Sequence, residues 1–161
     1  MSPWVRPGSS ESGFITPDFN LDAPFRSSSN GAFALLPASR HPPFESLRRP
    51  CRRGHKITLR VGEALEILES LPGEKTDLVF IDADKQNYSA YYRESMRILQ
   101  SGGLILADNA LWYGGIFDPK DDDSRAMADF NELVKADDRA EKLFLTIRDG
   151  IYLIRKRVSV T

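Results

Sequence analysis

The chain has 161 residues, of which 41% are hydrophobic and 28% are charged, and its formal net charge is −1. This length suits a single domain, and the near-neutral charge balance argues against nucleic acid or a membrane surface as a partner. No apolar stretch approaches the roughly 18 residues that a membrane span requires, and the single cysteine, Cys51, excludes an intrachain disulfide. A reducing compartment fits this composition, so we expect a cytoplasmic protein.

The first part of the chain differs in composition from the rest. Residues 1–55 contain eight prolines, nine serines and four glycines, and they carry seven arginines but no lysine. Prolines at this density interrupt helices and strands, so we expect residues 1–54 to form a disordered leader. A targeting peptide is the alternative because the segment is rich in Arg and Ser, although Glu11, Asp18 and Asp22 come early and no amphipathic helix is evident.

From Lys56 onward, strand and helix patterns alternate. Residues 56–61 alternate as a strand does, and apolar residues then recur at helical spacing until Pro72-Gly73. Residues 77–81 form a short apolar run, which is typical of a strand buried on both faces of a parallel sheet. The next helix is predicted from one apolar and aromatic face, which comprises Tyr88, Tyr91, Tyr92, Ser95, Met96 and Leu99.

The second half of this region continues the alternation. Gly102-Gly103 is expected to end the helix, and residues 104–107 form a second buried strand. A third amphipathic helix then follows, with the acidic residues and Ser124 at its start supplying N-cap chemistry. Two strand patterns, residues 143–147 and 151–154, flank Asp149-Gly150, which is a hairpin signal.

The order β-α-β-α-β-α-β-β predicts an α/β fold with a mainly parallel sheet and an antiparallel edge. We place this domain at residues 55–157 and expect residues 158–161 to form a short tail. In such sheets, ligands bind beyond the carboxyl ends of the strands.

Polar side chains follow two of the predicted strands at that edge. Asp82, Asp84 and Lys85 come after one strand, and Asp108 and Asn109 come after the next. Oxygen ligands without His or Cys favour Mg²⁺, Mn²⁺ or Ca²⁺ over Zn²⁺, and a nearby divalent cation lowers the pKa of a lysine ammonium toward that of a useful base. Asp and Asn are also common turn formers and N-caps after a strand, but both pairs together with a lysine favour a site.

Residues 77–115 (DLVFIDADKQNYSAYYRESMRILQSGGLILADNALWYGG) resemble the cation-dependent O-methyltransferases of the caffeoyl-CoA and catechol type. The resemblance covers residues 56–157, and the DADK-x-NY, ADN-x-LW-x-G and late DG elements form a specific combination in this order. It implies a Rossmann-like methyltransferase fold, S-adenosylmethionine as methyl donor and a divalent cation. It also implies an acceptor with two adjacent aromatic hydroxyls, and a homodimer.

Carried over residue by residue, the resemblance makes Asp82, Asp108 and Asn109 the metal ligands. It places Lys85 at the position of the general base, so that Lys85 and Asp82 are the expected catalytic residues. The implied mechanism is cation-assisted deprotonation of one hydroxyl by Lys85, followed by in-line attack on the donor methyl group.

The resemblance also assigns residues to the two substrates. Asp84 and Ala64 match positions that contact the methyl donor, with Ala64 near the adenine ring. Trp112 and Tyr113 fall in the loop that walls the acceptor pocket, and core packing is the alternative for Trp112. Asn131 is interpreted as a feature of the helix surface.

The sheet is expected to be incomplete. Upstream of Lys56 the family has two further strands and a glycine-rich turn, whereas the glycines of residues 1–55 are isolated. The missing strands belong between the strand at residues 56–61 and the strand at residues 77–81, so we expect a weakened donor pocket. A different reading frame or splice form that joins near Gly54 is one hypothesis for this segment.

Two other function classes stay open on the sequence alone. One is a non-catalytic remnant or regulatory partner of a full-length homologue, which predicts no donor binding. The other is a Mg²⁺-dependent phosphotransfer enzyme that uses a D-x-D motif at Asp82 and Asp84. That class favours Thr or Val after the motif, whereas Lys85 and Gln86 follow here.

Overall fold

The computed structural model describes residues 12–17, 31–37 and 57–158. These residues form a seven-stranded sheet together with three α-helices. The strands are β1 (Ser12–Pro17), β2 (Gly31–Pro37), β3 (Ile57–Val61), β4 (Thr76–Ile81), β5 (Leu99–Asp108), β6 (Ala140–Leu145) and β7 (Ile151–Lys156), and the helices are α1 (Ala64–Glu69), α2 (Tyr88–Ile98) and α3 (Asp122–Ala136). Short 3₁₀ segments cover Lys85–Asn87 and Trp112–Phe117.

The strand order across the sheet is β3-β1-β2-β4-β5-β7-β6. Strands β2, β4 and β5 run parallel to one another, whereas β1 is antiparallel to both β2 and β3. Strand β7 is antiparallel to β5 and to β6, which closes the chain in a hairpin at one edge. The predicted α/β architecture with a C-terminal antiparallel hairpin is confirmed.

Strands β1 and β2 correct the expectation that no strand precedes Lys56. They occupy the positions between β3 and β4 that were expected to be missing. Strands β1 and β2 pair with β3 and β4 and satisfy backbone N–H and C=O groups that would otherwise lie at open strand edges. Short sequence patterns do not reveal pairing of this kind. Pro17 and Pro37 are the last residues of their strands, where the lost N–H costs little, so these prolines end the strands without preventing them.

The other parts of the predicted leader, residues 1–11, 18–30 and 38–54, lie outside the described residues. The disorder predicted there and the domain boundary at residue 54 therefore stay predictions. Within β2, Leu35 is fully buried, and its carbonyl oxygen accepts a hydrogen bond from the backbone N–H of Asp82 at 2.8 Å. Strand β2 therefore supports the end of β4 directly.

The boundary between α2 and β5 differs from the prediction. Leu99 starts the strand, and Gly102-Gly103 lies inside it, where the pairing of β4 with β5 shifts register. Gly102 has a φ of +80°, and a Cβ at Gly103 would lie 2.7 Å from Leu99 Cγ. The two glycines therefore permit an irregular strand where the sequence suggested only a helix stop.

Aromatic packing joins the helices to the sheet. The ring of Phe130 in α3 meets the rings of Tyr88, Tyr92 and Tyr152 edge-on, with centroids 5.4, 6.2 and 6.2 Å apart. The predicted N-cap of α3 is confirmed as a capping box between Asp121 and a buried Ser124. These contacts fix α2 and α3 beside the strands that carry the candidate site.

The strands of the C-terminal hairpin have other bounds than the predicted residues 143–147 and 151–154. Strand β6 ends at Leu145 and β7 begins at Ile151, so residues 146–150 form the connecting loop and Asp149-Gly150 lies at its end. Across the described ranges, no helix has the length and apolar character needed to cross a bilayer.

Candidate functional site

The carboxyl ends of β4 and β5 form the centre of the candidate site. The two strands are parallel neighbours, and Ile81 pairs with Ala107. Asp82 and Asp108 therefore leave the sheet side by side, and Asn109 follows at once. The predicted clustering of these polar residues at one edge of the sheet is what the structure contains.

Lys85 lies within this cluster and is only 8% exposed. Its Nζ is 3.5 Å from Asp82 Oδ1, 3.1 Å from Asn109 Oδ1 and 2.5 Å from Tyr88 Oη. A buried ammonium is costly unless it is paired and hydrogen-bonded. The carboxylate, the amide oxygen and the hydroxyl provide this compensation together.

Tyr88 is a site residue that the sequence reasoning assigned only to the core face of α2. Its hydroxyl oxygen lies 3.3 Å from the carbonyl oxygen of Ile81 and 3.2 Å from that of Asp108, and it can donate to one of them while Lys85 donates to it. Burial raises the pKa of this hydroxyl well above its usual range, and the negative charges of Asp82 and Asp108 raise it further. Tyr88 therefore stays protonated and ties the two strand ends to Lys85. In the sequence, its spacing of three residues from Lys85 was the signal that could have indicated this contact.

The segment after β5, residues 109–113, is here named the acceptor loop, after the role that the sequence resemblance predicts for Trp112 and Tyr113. Three residues of this loop have positive φ values, which residues other than glycine rarely adopt: +58° at Asn109, +48° at Trp112 and +52° at Tyr113. The Tyr113 N–H donates to Asp149 Oδ1 at 2.6 Å, and Asn131 Nδ2 donates to the carbonyl oxygen of Ala110 at 2.9 Å. The loop is therefore held from β6–β7 and from α3, and Asn131 is more than a feature of the helix surface.

Two aromatic rings lie beside the buried ammonium, one from the acceptor loop and one from α2. Lys85 Nζ is 5.5 Å from the centroid of the Trp112 ring and 4.3 Å from that of the Tyr88 ring. Tyr113 is 86% exposed, and its ring centroid is 5.8 Å from that of Trp112. The structure thus brings Trp112 to the cluster and leaves Tyr113 at the rim.

The two residues predicted at the methyl donor occupy different surroundings. Asp84 is half-buried, and its carboxylate accepts hydrogen bonds from Tyr91 Oη at 2.5 Å and from Asn87 Nδ2 at 2.6 Å. Ala64 is buried in the core at the first residue of α1. Asp84 is therefore fixed one position before Lys85.

The chemistry of the predicted ligand atoms decides whether they fit a cation. In the part of the chain that the structure describes, no group of three or more His, Cys, Asp and Glu side chains is arranged to hold a metal ion. The predicted set instead combines two carboxylates with one amide oxygen. Oxygens of Asp82 and Asn109 already converge on one positive charge, the ammonium of Lys85, and Asp108 lies at the adjoining strand end. Hard oxygen donors of this kind fit a cation such as Mg²⁺.

Comparisons with known proteins point to one family. The profile of the O-methyltransferase family matches residues 46–157. Caffeoyl-CoA O-methyltransferase 2 of Zea mays is 38% identical over 116 residues, which cover 64% of this chain and 44% of the maize protein. The chain thus spans about half the length of the curated relatives that it matches.

Solved structures give the same indication. The cofactor-bound Rv0187 from MTB has a TM-score of 0.64 and 30% identity, covering 77% of this chain and 61% of that one. The SAH-bound methyltransferase PaMTH1 of Podospora anserina has a TM-score of 0.53 and 29% identity, covering 60% of this chain and 47% of that one. The region that the family profile matches, residues 46–157, includes the whole cluster at the ends of β4 and β5.

Proposed function

This chain belongs to the O-methyltransferase family, and from that premise we propose that its site transfers a methyl group from S-adenosylmethionine to a hydroxyl of an aromatic vicinal diol. The transfer depends on a divalent cation, Mg²⁺ in the first place and Mn²⁺ or Ca²⁺ as substitutes. The observation that carries the proposal is the cluster of the buried Lys85 and Asp82 with the half-buried Asn109, beside the Trp112 ring.

Asp82, Asp108 and Asn109 are the residues that would hold the cation. A bound divalent cation supplies Lewis acidity, which lowers the pKa of a coordinated hydroxyl. Two carboxylates would neutralise the charge of a divalent cation, and the ammonium that Lys85 becomes on taking the proton would balance a phenolate. Three protein ligands are fewer than the six or more oxygens that these cations prefer, so two adjacent oxygens of the acceptor are proposed to complete the set.

Lys85 is the proposed base for the acceptor hydroxyl, in the neutral amine form that a bound divalent cation would favour. Its Nζ is held by Asp82, Tyr88 and Asn109, so the nitrogen that takes the proton is fixed beside the proposed cation ligands. Trp112 covers this nitrogen from the side of the acceptor loop and limits the access of water. Most of the rate enhancement is then expected from holding the two reactants at attack distance.

The donor side is proposed to be the weaker half of the site. Asp84, which is held by Tyr91 and Asn87, is proposed to contact the donor. However, residues 32–53, which include most of β2 and the segment after it, contain no glycine that would let the backbone approach the donor closely. Each lost hydrogen bond costs about 0.5–1.5 kcal/mol, and about 1.4 kcal/mol is a tenfold loss of affinity. We therefore expect weak binding of S-adenosylmethionine and slow turnover.

Transfer of a labelled methyl group tests this function. The protein is incubated with saturating labelled S-adenosylmethionine and either a catechol-type acceptor or its analogue with a single hydroxyl, in Mg²⁺ or in EDTA. Slow transfer is expected only with the diol and only with Mg²⁺. Equal transfer in EDTA, or equal transfer to the analogue with one hydroxyl, would contradict the proposal. A protein that binds Mg²⁺ without any transfer would indicate the non-catalytic alternative.

A further inference from the structure

We infer that Asp149, in the loop between β6 and β7, is a positioning residue that orients the side-chain amide of Asn109 toward the bound cation and holds the acceptor loop in place. The inference rests on the proposed function, because it assigns a role to a residue that supports the same site. Asp149 comes 40 residues after Asn109 in the chain and is not one of the residues that the sequence motifs assign to the cation.

The orientation of the Asn109 amide is set by the charges on its two sides. Its Oδ1 lies 3.1 Å from the Lys85 ammonium, and its Nδ2 lies 3.4 Å from Asp149 Oδ2. Rotating the amide by half a turn would direct the NH₂ group at the ammonium and the oxygen at the carboxylate, so that neither contact would be a hydrogen bond. The Asp149 carboxylate therefore keeps the oxygen of Asn109 facing the position of positive charge.

The same carboxylate holds the far end of the acceptor loop. Asp149 Oδ1 accepts a hydrogen bond from the backbone N–H of Tyr113 at 2.6 Å. Non-glycine residues in the left-handed region cost on the order of 1 kcal/mol or more each and persist only where their surroundings enforce them. One carboxylate thus restrains two of the three loop residues with positive φ, Asn109 and Tyr113.

The backbone around Asp149 is built for close contact with the acceptor loop. The N–H groups of Ala110 and Leu111 donate to the carbonyl oxygens of Gly150 and Asp149, both at 2.9 Å. A Cβ at Gly150 would lie 2.8 Å from Leu111 Cγ and 2.9 Å from Leu111 N, so this approach requires glycine. The hairpin loop is therefore a rigid support on which the Asp149 side chain is presented.

The test compares Mn²⁺ binding, followed by electron paramagnetic resonance, in the wild type, Asp149→Asn and Asp129→Asn. Asp129 is exposed on α3, so its substitution makes the same chemical change away from the loop. Removing a group that orients a metal ligand typically weakens metal binding by about 10- to 100-fold. We expect a loss of that size in Asp149→Asn and none in Asp129→Asn. Wild-type affinity in Asp149→Asn would overturn the inference.

A double-mutant cycle distinguishes orientation from general stability. In the Asn109→Asp background, the ligand presents an oxygen whichever way it rotates, and an amide at position 149 can donate to it. Asp149→Asn is therefore expected to cost no Mn²⁺ affinity in that background, although it does so in the wild type. An equal loss in both backgrounds would show that Asp149 only stabilises the fold.

A measurement without metal keeps the inference separate from the proposed function. The side-chain amide signals of Asn109 in an ¹⁵N–¹H spectrum are expected to shift in Asp149→Asn and to stay in place in Asp129→Asn. If the wild type bound no Mn²⁺, the proposed cation site would fail and this spectrum alone would decide. An Asn109 amide that is unaffected by Asp149→Asn would overturn the positioning role.

Discussion

The ammonium of Lys85 shares its surroundings with the oxygens proposed to bind the cation. It lies within 3.5 Å of Asp82 Oδ1 and Asn109 Oδ1, and it is almost fully buried. Its positive charge therefore opposes the entry of a second cation at the same oxygens. The same nitrogen is the proposed proton acceptor, so one side chain affects both metal affinity and turnover.

These two effects can be separated with Lys85→Met. Removing the charge is expected to leave Mg²⁺ binding at least as tight as in the wild type, because the competing ammonium is gone. Methyl transfer is expected to fall by about 10²–10⁴-fold, which is the usual contribution of a general base. Calorimetric titration with Mg²⁺ and the labelled methyl assay measure the two effects. Loss of Mg²⁺ binding together with wild-type transfer would reverse the assigned role.

Asp137 gives a prediction with a defined dependence on pH. Its carboxylate accepts hydrogen bonds from Arg139 and from Tyr92 Oη, and Arg139 in the first place holds the pKa of this carboxyl well below its usual range. A carboxyl whose pKa is lowered in the folded state stabilises the protein fully above its unfolded pKa of about 3.9, and the stabilisation is lost as the pH falls below that value. Asp137→Asn is therefore expected to lower the free energy of unfolding by roughly 1–2 kcal/mol near neutral pH.

Urea unfolding followed by circular dichroism checks this expectation. The difference between wild type and Asp137→Asn should shrink when the pH is lowered from about 7 to about 3. Asp138→Asn, an exposed neighbour in the same turn, is the control and should show no comparable loss. A difference that does not change with pH would mean that the ionised carboxylate is not the stabilising form.

At the scale of elements, the hairpin loop and the acceptor loop form one unit. Gly150 has a φ of +79°, and an added Cβ would meet Leu111 Cγ at 2.8 Å, Leu111 N at 2.9 Å and Phe144 at 3.1 Å. Gly114 has nearly the same φ, +81°, but an added Cβ there meets nothing within 4 Å. Substitutions at these two glycines therefore separate the cost of the backbone conformation from the cost of contact between the two loops.

Gly150→Ala is expected to destabilise the protein by roughly 2–4 kcal/mol, since about 1 kcal/mol of conformational cost is added to about 1–3 kcal/mol of overpacking. Gly114→Ala should cost only about 1 kcal/mol. Thermal and urea unfolding of the two variants measure the difference. Equal losses in the two variants would show that the hairpin loop does not press on the acceptor loop.

Local patterns predicted the elements better than their ends. The faces of α2 and α3 were visible because Tyr88, Tyr92, Met127 and Phe130 recur at helical spacing, and all four are buried. The end of α1 at Glu69 is associated with a distant residue, Arg97, whose guanidinium donates to carbonyl oxygens at the end of that helix. Contacts of this kind join residues far apart in the chain and leave no local signal.

In the candidate site, too, some residues followed from local patterns and others depend on contacts between distant parts of the chain. The positions of Asp82, Asp108 and Asn109 followed from the rule that parallel strands present their carboxyl ends at one edge. Tyr88 and Asp149 could not be assigned in this way, because their roles depend on where a helix turn and a hairpin loop meet that edge. Their hydrogen bonds, at 2.5 Å to Lys85 and 2.6 Å to the Tyr113 N–H, become visible only in three dimensions.

At the scale of the whole molecule, the sheet is continuous through β1 and β2, which the proline-rich composition concealed. The pairing of β2 with β4 connects this segment to the strand that ends at Asp82. A short apolar run of seven residues is too brief to show a period, and its partner strand lies about 45 residues further along the chain. The homodimer implied by the sequence resemblance stays a prediction.

Leu35 tests whether β2 is part of the core. Leu35→Ala is expected to lower the free energy of unfolding by about 2–5 kcal/mol, as is usual for a fully buried leucine. Leu143→Ala is the matched control because Leu143 is 56% exposed on β6, and it should change the free energy by about 0.5 kcal/mol or less. A Leu35→Ala variant as stable as the wild type would remove β2 from the folded unit.

The most direct test of the cation site is calorimetric titration of the protein with Mg²⁺, in the wild type and in Asp108→Ala. One Mg²⁺ site is expected in the wild type and none in Asp108→Ala, with the circular dichroism spectrum unchanged. Asp138→Ala, which removes an exposed carboxylate, should bind Mg²⁺ as the wild type does. Equal Mg²⁺ binding by the wild type and Asp108→Ala, or no binding by the wild type, would contradict the proposed cation site.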